Sequence, residues 1–141
     1  MIAYLNIGTN LGDKSRNIED AISSIENEFH AKALRSKIIE SEPWGYNSRN
    51  SYLNIGIAIE CGVSPTILLS KLHNIEKNLG SASHRNADGS YADRLIDIDI
   101  MAIDNLHIDL PNLKVPHPHL YDRPFFSLPY KELQSLVASR K

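Results

Sequence analysis

Alternating and apolar stretches along the chain predict four strands. Residues 2–7 form a short apolar run, and residues 52–60 place apolar side chains at every second position; both patterns are typical of strands. Residues 95–101 are rich in isoleucine, which favours a strand. A weaker strand pattern covers residues 32–41. These four segments are spread over the chain, with helical patterns between them.

Two segments between the strands carry apolar residues at helical spacing. In residues 18–29 and again in residues 68–79, large apolar side chains recur every three or four positions and form one stripe. The second stripe follows Ser64-Pro65, a pair that favours the start of a helix. We therefore predict two helices. The polar segments between the elements are predicted to be loops; they are residues 8–13, 42–51 and 81–93.

The elements follow one another as β-α-β-β-α-β. This order predicts an α+β, ferredoxin-like fold: an antiparallel sheet with both helices on one face and the active site on the other, which loops or a ligand would cover. From Asp104 on, five prolines predict irregular structure with short elements. At 141 residues the chain is expected to form a single domain spanning residues 1–141.

Asp97 and Asp99 interrupt the last predicted strand. Side chains alternate along a strand, so the two aspartates share one face while the neighbouring isoleucines share the other. The isoleucines should meet the helices, which leaves the aspartates on the open face with Tyr52 and Asn54. Two adjacent carboxylates are costly to bury. The pair therefore predicts a site for divalent cations and a polyphosphate, with a solvated sheet face as the alternative.

Several other side chains are suited to contact with a small molecule. Tyr52 offers a ring for stacking and Asn54 an amide for paired hydrogen bonds, a combination that suits a flat heterocycle. On the second predicted helix, His73 and Glu76 share a face. They could meet a substrate at its rim, although a solvated helix face is the commoner reason for such a pair.

Histidines and arginines supply candidates for phosphate contacts. His117 and His119 are separated by a proline and have no cysteine near them, so a hydrogen bond to phosphate fits this pattern better than a zinc site. Arginine binds phosphate through paired hydrogen bonds. The arginines considered for that role are Arg85, Arg94 and Arg123.

Charge and cysteine content narrow the classes of function. The formal net charge is −2 and the pI is near 6.3, which argues against broad electrostatic binding of nucleic acid or membrane surfaces. The single cysteine, Cys61, excludes an internal disulfide and a cysteine-rich metal site. The N-terminal residues lack a signal-peptide pattern, and no segment has the length of a membrane span. We expect a cytoplasmic protein.

Seven short motifs stand in a characteristic order along the chain. They are Gly8-Thr9-Asn10-Leu11-Gly12-Asp13, Pro43-Trp44-Gly45, Tyr52-Leu53-Asn54, Ile75-Glu76-Lys77-Asn78-Leu79-Gly80, Arg94-Leu95-Ile96-Asp97-Ile98-Asp99-Ile100, Val115-Pro116-His117-Pro118 and Arg123-Pro124-Phe125. Together they resemble the 6-hydroxymethyl-7,8-dihydropterin pyrophosphokinase family of folate biosynthesis. The resemblance runs from the first strand to about Pro129, and its most specific part is the Arg-x-x-Asp-x-Asp segment with the later Pro-His-Pro.

The resemblance implies an enzyme that transfers a pyrophosphoryl group from ATP to a hydroxymethyl-dihydropterin. The hydroxymethyl oxygen would attack the β-phosphorus of ATP, and AMP would leave. By position, Asp97 and Asp99 would bind two Mg²⁺ ions that bridge the ATP phosphates. We expect a monomer that binds these two small molecules.

The resemblance also implies roles for further positions. Arg94 and Arg123 would act with the two aspartates in catalysis. The pterin would be bound by Trp44, Gly45, Tyr52, Asn54 and Phe125, with the Tyr52 and Phe125 rings on its two faces. The nucleotide would be bound by His73, Glu76, Arg85, Tyr91, Ile100 and His117.

The chain departs from the family pattern in residues 81–93. Members usually carry several arginines and a tryptophan there, whereas this chain offers Arg85 and Tyr91 in their place. Two other hypotheses therefore remain beside the enzyme. One is a diverged relative that binds a pterin or a nucleotide without turnover, and the other is an unrelated ferredoxin-like domain that acts through protein contacts.

Overall fold

A computed structural model of the chain describes residues 1–41, 51–80 and 95–140. Its elements are strand β1 (Ile2–Thr9), helix α1 (Lys14–Phe29), strands β2 (Leu34–Arg35), β3 (Ile39–Ser41) and β4 (Tyr52–Glu60), helix α2 (Pro65–Asn78), strands β5 (Asp97–Ile103), β6 (Ile108–Leu110) and β7 (Leu113–Val115), and helix α3 (Pro124–Ser139).

The main sheet is antiparallel, and β1 lies at its centre. The order is β2-β4-β1-β5, with β3 also paired to β4. This confirms the predicted α+β class. The weak strand predicted over residues 32–41 is split into β2 and β3. Between them, the Ser36 hydroxyl accepts a hydrogen bond from the Gly56 N–H at 2.8 Å, where a continuous strand would use a backbone carbonyl.

Helices α1 and α2 cover one face of this sheet. Their apolar stripes bury isoleucines and leucines that are 0% exposed, among them Ile22 and Leu72. The sheet contributes isoleucines from β1, β4 and β5 to the same core, including Ile98 and Ile100. The predicted direction of the β5 isoleucines is therefore confirmed, because alternation along the strand turns them toward the helices.

The prediction of irregular structure after Asp104 is wrong at its C-terminal end, where residues form the sixteen-residue helix α3. Proline is tolerated as the first residue of a helix, and Pro124 stands at that position. The helix packs on the sheet face opposite α1 and α2, so loops or a ligand are not needed to cover all of it. The second core joins Tyr4, Ala58, Met101, Ala102, Leu120, Phe126, Tyr130 and Leu133.

Glycine 56 allows α3 to lie directly on β4. A Cβ atom at this position would be 2.7 Å from the Pro129 Cβ and 2.9 Å from the Leu133 Cδ1, closer than such atoms can approach. Farther along the helix, the Glu132 carboxylate accepts a hydrogen bond from the Lys37 N–H at 3.2 Å. None of the described helices is long and apolar enough to cross a membrane.

Candidate active site

Two rows of residues cross the sheet on the face that α3 covers in part. In the strand register, Gly8 lies opposite both Asn54 on β4 and Asp97 on β5. In the next row on the same face, Asn6 lies between Gly56 and Asp99. Neighbouring strands are about 4.8 Å apart, so the backbones of Asn54 and Asp97 are separated by roughly 10 Å. The sheet thus forms a floor with an amide at one side and carboxylates at the other.

Gly8 lies between Asn54 and Asp97 in this row and adds no side chain to the sheet face. A Cβ atom at Gly8 would lie 3.1 Å from Asn54 Oδ1 and 3.3 Å from Tyr52 Cδ1. Both distances are tighter than ordinary van der Waals contact. The missing side chain therefore leaves room beside Tyr52 and Asn54.

Strand β3 orients the Asn54 amide. Asn54 is 3% exposed, and its Nδ2 donates a hydrogen bond to the Ser41 Oγ at 2.7 Å. Ser41 lies opposite Tyr52 in the register, and the Tyr52 side chain is partly buried. The two residues predicted to bind a flat heterocycle are thus adjacent, with Asn54 Oδ1 turned toward Gly8.

Asp97 and Asp99 lie on the same face and are partly buried. Arg123, at the start of α3, is close enough for both carboxylates to influence it. Burial lowers the pKa of the Arg123 guanidinium, and the negative charges of Asp99, Asp122 and Asp97 act in the opposite direction. The Arg123 guanidinium also lies 5.9 Å from the centre of the Phe125 ring. The structure thus brings the predicted carboxylates, arginine and aromatic ring into one neighbourhood.

The donor set at this position fits Mg²⁺ bound together with phosphate. Among residues 1–41, 51–80 and 95–140, no group of three or more histidine, cysteine, aspartate or glutamate side chains could hold a metal ion alone. Mg²⁺ in enzymes of phosphate transfer is commonly held by one or two carboxylates, water and substrate phosphates. Asp97 and Asp99 supply that number of carboxylates.

Glu76 does not lie on a solvated helix face. It is 3% exposed, and its Oε2 accepts a hydrogen bond from the Ile98 N–H at 2.7 Å. Ile98 is the residue between the two aspartates, on the last strand in the sheet order. Helix α2 thus supplies the acceptor that a further strand would otherwise provide, and it fixes the backbone that carries the carboxylates.

His117 is neutral and has a defined tautomer. Burial, helped by the nearby Arg123 charge, lowers its pKa to about 4. Its Nδ1 accepts a hydrogen bond from the His119 N–H at 3.0 Å, so the proton of the neutral ring is on Nε2. His117 can therefore donate one hydrogen bond. His119 instead pairs with Asp122, with Nδ1 and Oδ2 separated by 3.1 Å.

A cleft of about 320 Å³ lies beside Asp99. It brings together three residues predicted to bind a nucleotide, which are His73, Ile100 and His117. Asn112 and Lys114 also line it, and the sequence analysis missed them as site residues. They belong to the β6–β7 hairpin, whose short strands carry too few alternating positions to be recognised in a proline-rich segment.

Asn6 is a third residue that the sequence analysis missed. It is 2% exposed, and its Nδ2 donates a hydrogen bond to the Phe125 carbonyl at 2.7 Å. An amide inside the otherwise apolar first strand was the available signal, because a buried polar group needs a partner. Five predicted site residues lie outside the part of the chain that the structure describes; they are Trp44, Gly45, Arg85, Tyr91 and Arg94.

Comparison with known proteins gives consistent matches over most of the chain. A family model described as 7,8-dihydro-6-hydroxymethylpterin-pyrophosphokinase (HPPK) matches residues 4–135. The 2-amino-4-hydroxy-6-hydroxymethyldihydropteridine pyrophosphokinase of Porphyromonas gingivalis is 33% identical over 137 residues, which cover 94% of this chain and 90% of that protein. The protein of the same name from Aquifex aeolicus is 35% identical over 134 residues, 95% of this chain and 81% of that protein. The one from Bacillus subtilis is 30% identical over 133 residues, 94% and 77%.

Proposed function

The chain belongs to the 7,8-dihydro-6-hydroxymethylpterin-pyrophosphokinase family, and we propose that it carries out the family reaction on the sheet face of Asn54, Asp97 and Asp99. The enzyme transfers a pyrophosphoryl group from ATP to 6-hydroxymethyl-7,8-dihydropterin in folate biosynthesis, and AMP is the other product. The hypothesis of an unrelated ferredoxin-like domain is thereby wrong.

One observation carries the location of the reaction. The row Asn54–Gly8–Asp97 provides two groups on one face of the sheet. Asn54 offers a hydrogen-bonding group for a heterocycle, and Asp97 offers a carboxylate for cation binding. The cleft is lined by Asp99, which lies two residues along β5 from Asp97 on the same face. A pterin over Asn54 and a nucleotide in the cleft would therefore meet at Asp97 and Asp99. Such alignment is the main requirement of phosphoryl transfer.

On the pterin side, Tyr52 and Phe125 are proposed to stack on the ring. Tyr52 is partly buried beside Gly8, and Phe125 stands at the start of α3 near Arg123. Asn54 would hydrogen-bond the edge of the ring through Oδ1, since its Nδ2 is bonded to Ser41. Trp44 and Gly45 stay predictions for the same ring.

On the nucleotide side, the cleft would hold ATP against the edge of β5 at Ile100. His73 would contact the nucleotide from α2, and the His117 Nε2–H would donate to a phosphate oxygen. Glu76 is proposed to act beneath the strand by holding Ile98, rather than at the nucleotide surface. Arg85, Tyr91 and Arg94 stay predictions.

At the reaction centre, Asp97 and Asp99 would hold two Mg²⁺ ions together with the ATP phosphates. Bound Mg²⁺ neutralises phosphate charge and makes the β-phosphorus more accessible to an oxygen nucleophile. Arg123 would add a fixed positive charge on the opposite side from α2. The chain's own contribution is then to align the hydroxymethyl oxygen with that phosphorus and to stabilise charge.

The test of the site is AMP formation from Mg-ATP in the presence and absence of the dihydropterin. Replacement of a metal-binding carboxylate by its amide, in Asp97→Asn or Asp99→Asn, should lower the rate at least about 100-fold. Asp20→Asn, which alters an exposed aspartate of α1, is the matched control and should keep the wild-type rate. Wild-type rates in both site variants would contradict the proposed location.

We further propose that the enzyme acts as a cytoplasmic monomer. The described residues of the proposed site lie on a single chain, which supports a monomer. Sedimentation at working concentrations should give a mass near 15.8 kDa. A stable dimer would contradict the monomer.

A further inference from the structure

Helix α3 contains a break in its hydrogen-bond pattern within its first two turns. In an α-helix, the carbonyl of Phe125 would bond to the N–H of residue 129. Residue 129 is a proline and has no N–H to give. A donor from outside the helix therefore has to take its place for this carbonyl to bond as a helical one does.

Asn6 supplies that donor from the centre of the sheet. Its Nδ2 lies 2.7 Å from the Phe125 oxygen, and the two residues are 119 positions apart in the chain. Asn6 is opposite Asp99 in the register and is 2% exposed. The hydrogen bond thus connects the row of a proposed metal ligand with the first turn of the helix that carries Phe125.

The neighbouring strand completes the fit. Gly56 lies opposite Asn6, and only the lack of a side chain there allows the Pro129 ring to approach. We name the group formed by Asn6, Gly56, Phe125 and Pro129 the proline socket. It sets both the height of α3 above the sheet, through Gly56, and the position of its first turn, through Asn6.

We propose that Asn6 is a positioning residue for dihydropterin binding. This inference rests on the proposed function, in which the Phe125 ring stacks on the pterin. Phe126 is 1% exposed and anchors one side of the first turn in the core, while Asn6 holds the carbonyl of the preceding residue. Together these two contacts hold the backbone of the first turn, from which the Phe125 side chain extends. Asn6 itself need not touch either substrate.

The first test is binding of 6-hydroxymethyl-7,8-dihydropterin by calorimetry, in the presence of Mg²⁺ and a non-hydrolysable ATP analogue. Asn6→Ala removes the donor and should weaken pterin binding about tenfold. Affinity for the ATP analogue should stay within about twofold of wild type, because the nucleotide cleft is formed by other residues. Equal weakening of both ligands, or no change in either, would overturn the proposal.

The second test is rescue. In Asn6→Ala combined with Pro129→Ala, residue 129 gains an N–H that can bond the Phe125 carbonyl within the helix, and it keeps the Cβ that contacts Gly56. Pterin affinity should return toward the wild-type value. A double variant as weak as Asn6→Ala would contradict the role assigned to the carbonyl. If Asn6→Ala does not fold, Asn6→Ser, which leaves a shorter polar group in the same place, should show the same selective loss.

Ile22→Val is the control for a general loss of stability. It removes a methyl group from the core on the opposite sheet face and should leave both affinities unchanged. A lower melting temperature in Asn6→Ala with wild-type affinities would make Asn6 structural only and overturn the inference. The outcome for the proposed function is separate: wild-type protein that binds the pterin in an Asn6-dependent way but forms no AMP would contradict the reaction and leave the proline socket intact.

Discussion

The surroundings of His117 determine both its charge and its hydrogen bonds. The ring packs 4.6 Å from the Phe126 ring, and Arg123 lies nearby. Both conditions disfavour an imidazolium, which is why the pKa falls to about 4. At neutral pH the residue is therefore a neutral donor rather than a cation. Its proposed contact to phosphate is therefore a hydrogen bond from a neutral ring. This contact does not place a second positive charge next to Arg123.

This pKa predicts a loss of stability in mild acid. The folded-state value of about 4 is below the ordinary 6.5, so between these values the unfolded chain binds more protons at this residue. The stability that the neutral ring contributes is present above pH 6.5 and falls as the pH drops toward 4. Urea unfolding at pH 7.0, 5.5 and 4.5 measures the effect. His117→Gln should lose stability less steeply over this range, and the exposed His107→Gln should follow wild type.

At the level of elements, strands with alternating side chains were predictable and proline-rich elements were not. The spacing in β4 and β5 fixes which side chains meet the helices, and it predicts the face on which Asp97 and Asp99 lie. Helix α3 was missed because Pro129 normally argues against a helix interior. The compensating donor, Asn6, is 119 residues away from Phe125, and local patterns do not contain such a pairing.

Glu76 shows a similar limit within α2. The sequence placed it on the right helix beside His73, but spacing alone does not tell a buried carboxylate from a solvated one. Its burial follows from the position of β5, whose Ile98 N–H needs an acceptor. A residue predicted to contact the nucleotide therefore acts first on the strand between the two aspartates.

We expect Glu76→Ala to raise the Mg²⁺ concentration needed for half-maximal AMP formation about tenfold or more, as losses of supporting residues around metal ligands commonly do. Without the carboxylate, the backbone between Asp97 and Asp99 loses its anchor on α2. Glu76→Gln keeps an oxygen acceptor and should lie between Ala and wild type. Glu19→Ala, which removes an exposed glutamate bonded to Arg35, serves as the control. An unchanged Mg²⁺ dependence in Glu76→Ala would contradict this role.

At the scale of the whole molecule, the described residues form two apolar cores that share the main sheet. Helices α1 and α2 bury one face and α3 the other, and β1 contributes Leu5 to the first core and Tyr4 to the second. Two adjacent residues of one strand thus belong to different cores. If either core unfolds, one face of β1 becomes exposed to solvent. Because β1 also contributes to the other core, that core is weakened as well.

Cooperative unfolding of the whole chain follows from this arrangement and tests the single-domain prediction. Leu133→Ala in the core of α3 should cost about 2–5 kcal/mol of unfolding free energy, and Ile22→Val in the other core about 0.5–1.5 kcal/mol. Each should shift one common transition, with equal calorimetric and van't Hoff enthalpies. Separate transitions that respond to only one of the two substitutions would indicate independent units.

The proline socket joins residues that are 119 positions apart in the chain, which has a consequence for biosynthesis. Asn6 leaves the ribosome 119 residues before Phe125. Contacts between such distant residues form late, because closing a long loop costs entropy before the contact is gained. We expect the growing chain to have little affinity for the pterin until α3 has emerged. Substrate would then stabilise only a chain in which α3 is already present and could not assist the folding of the segments before it.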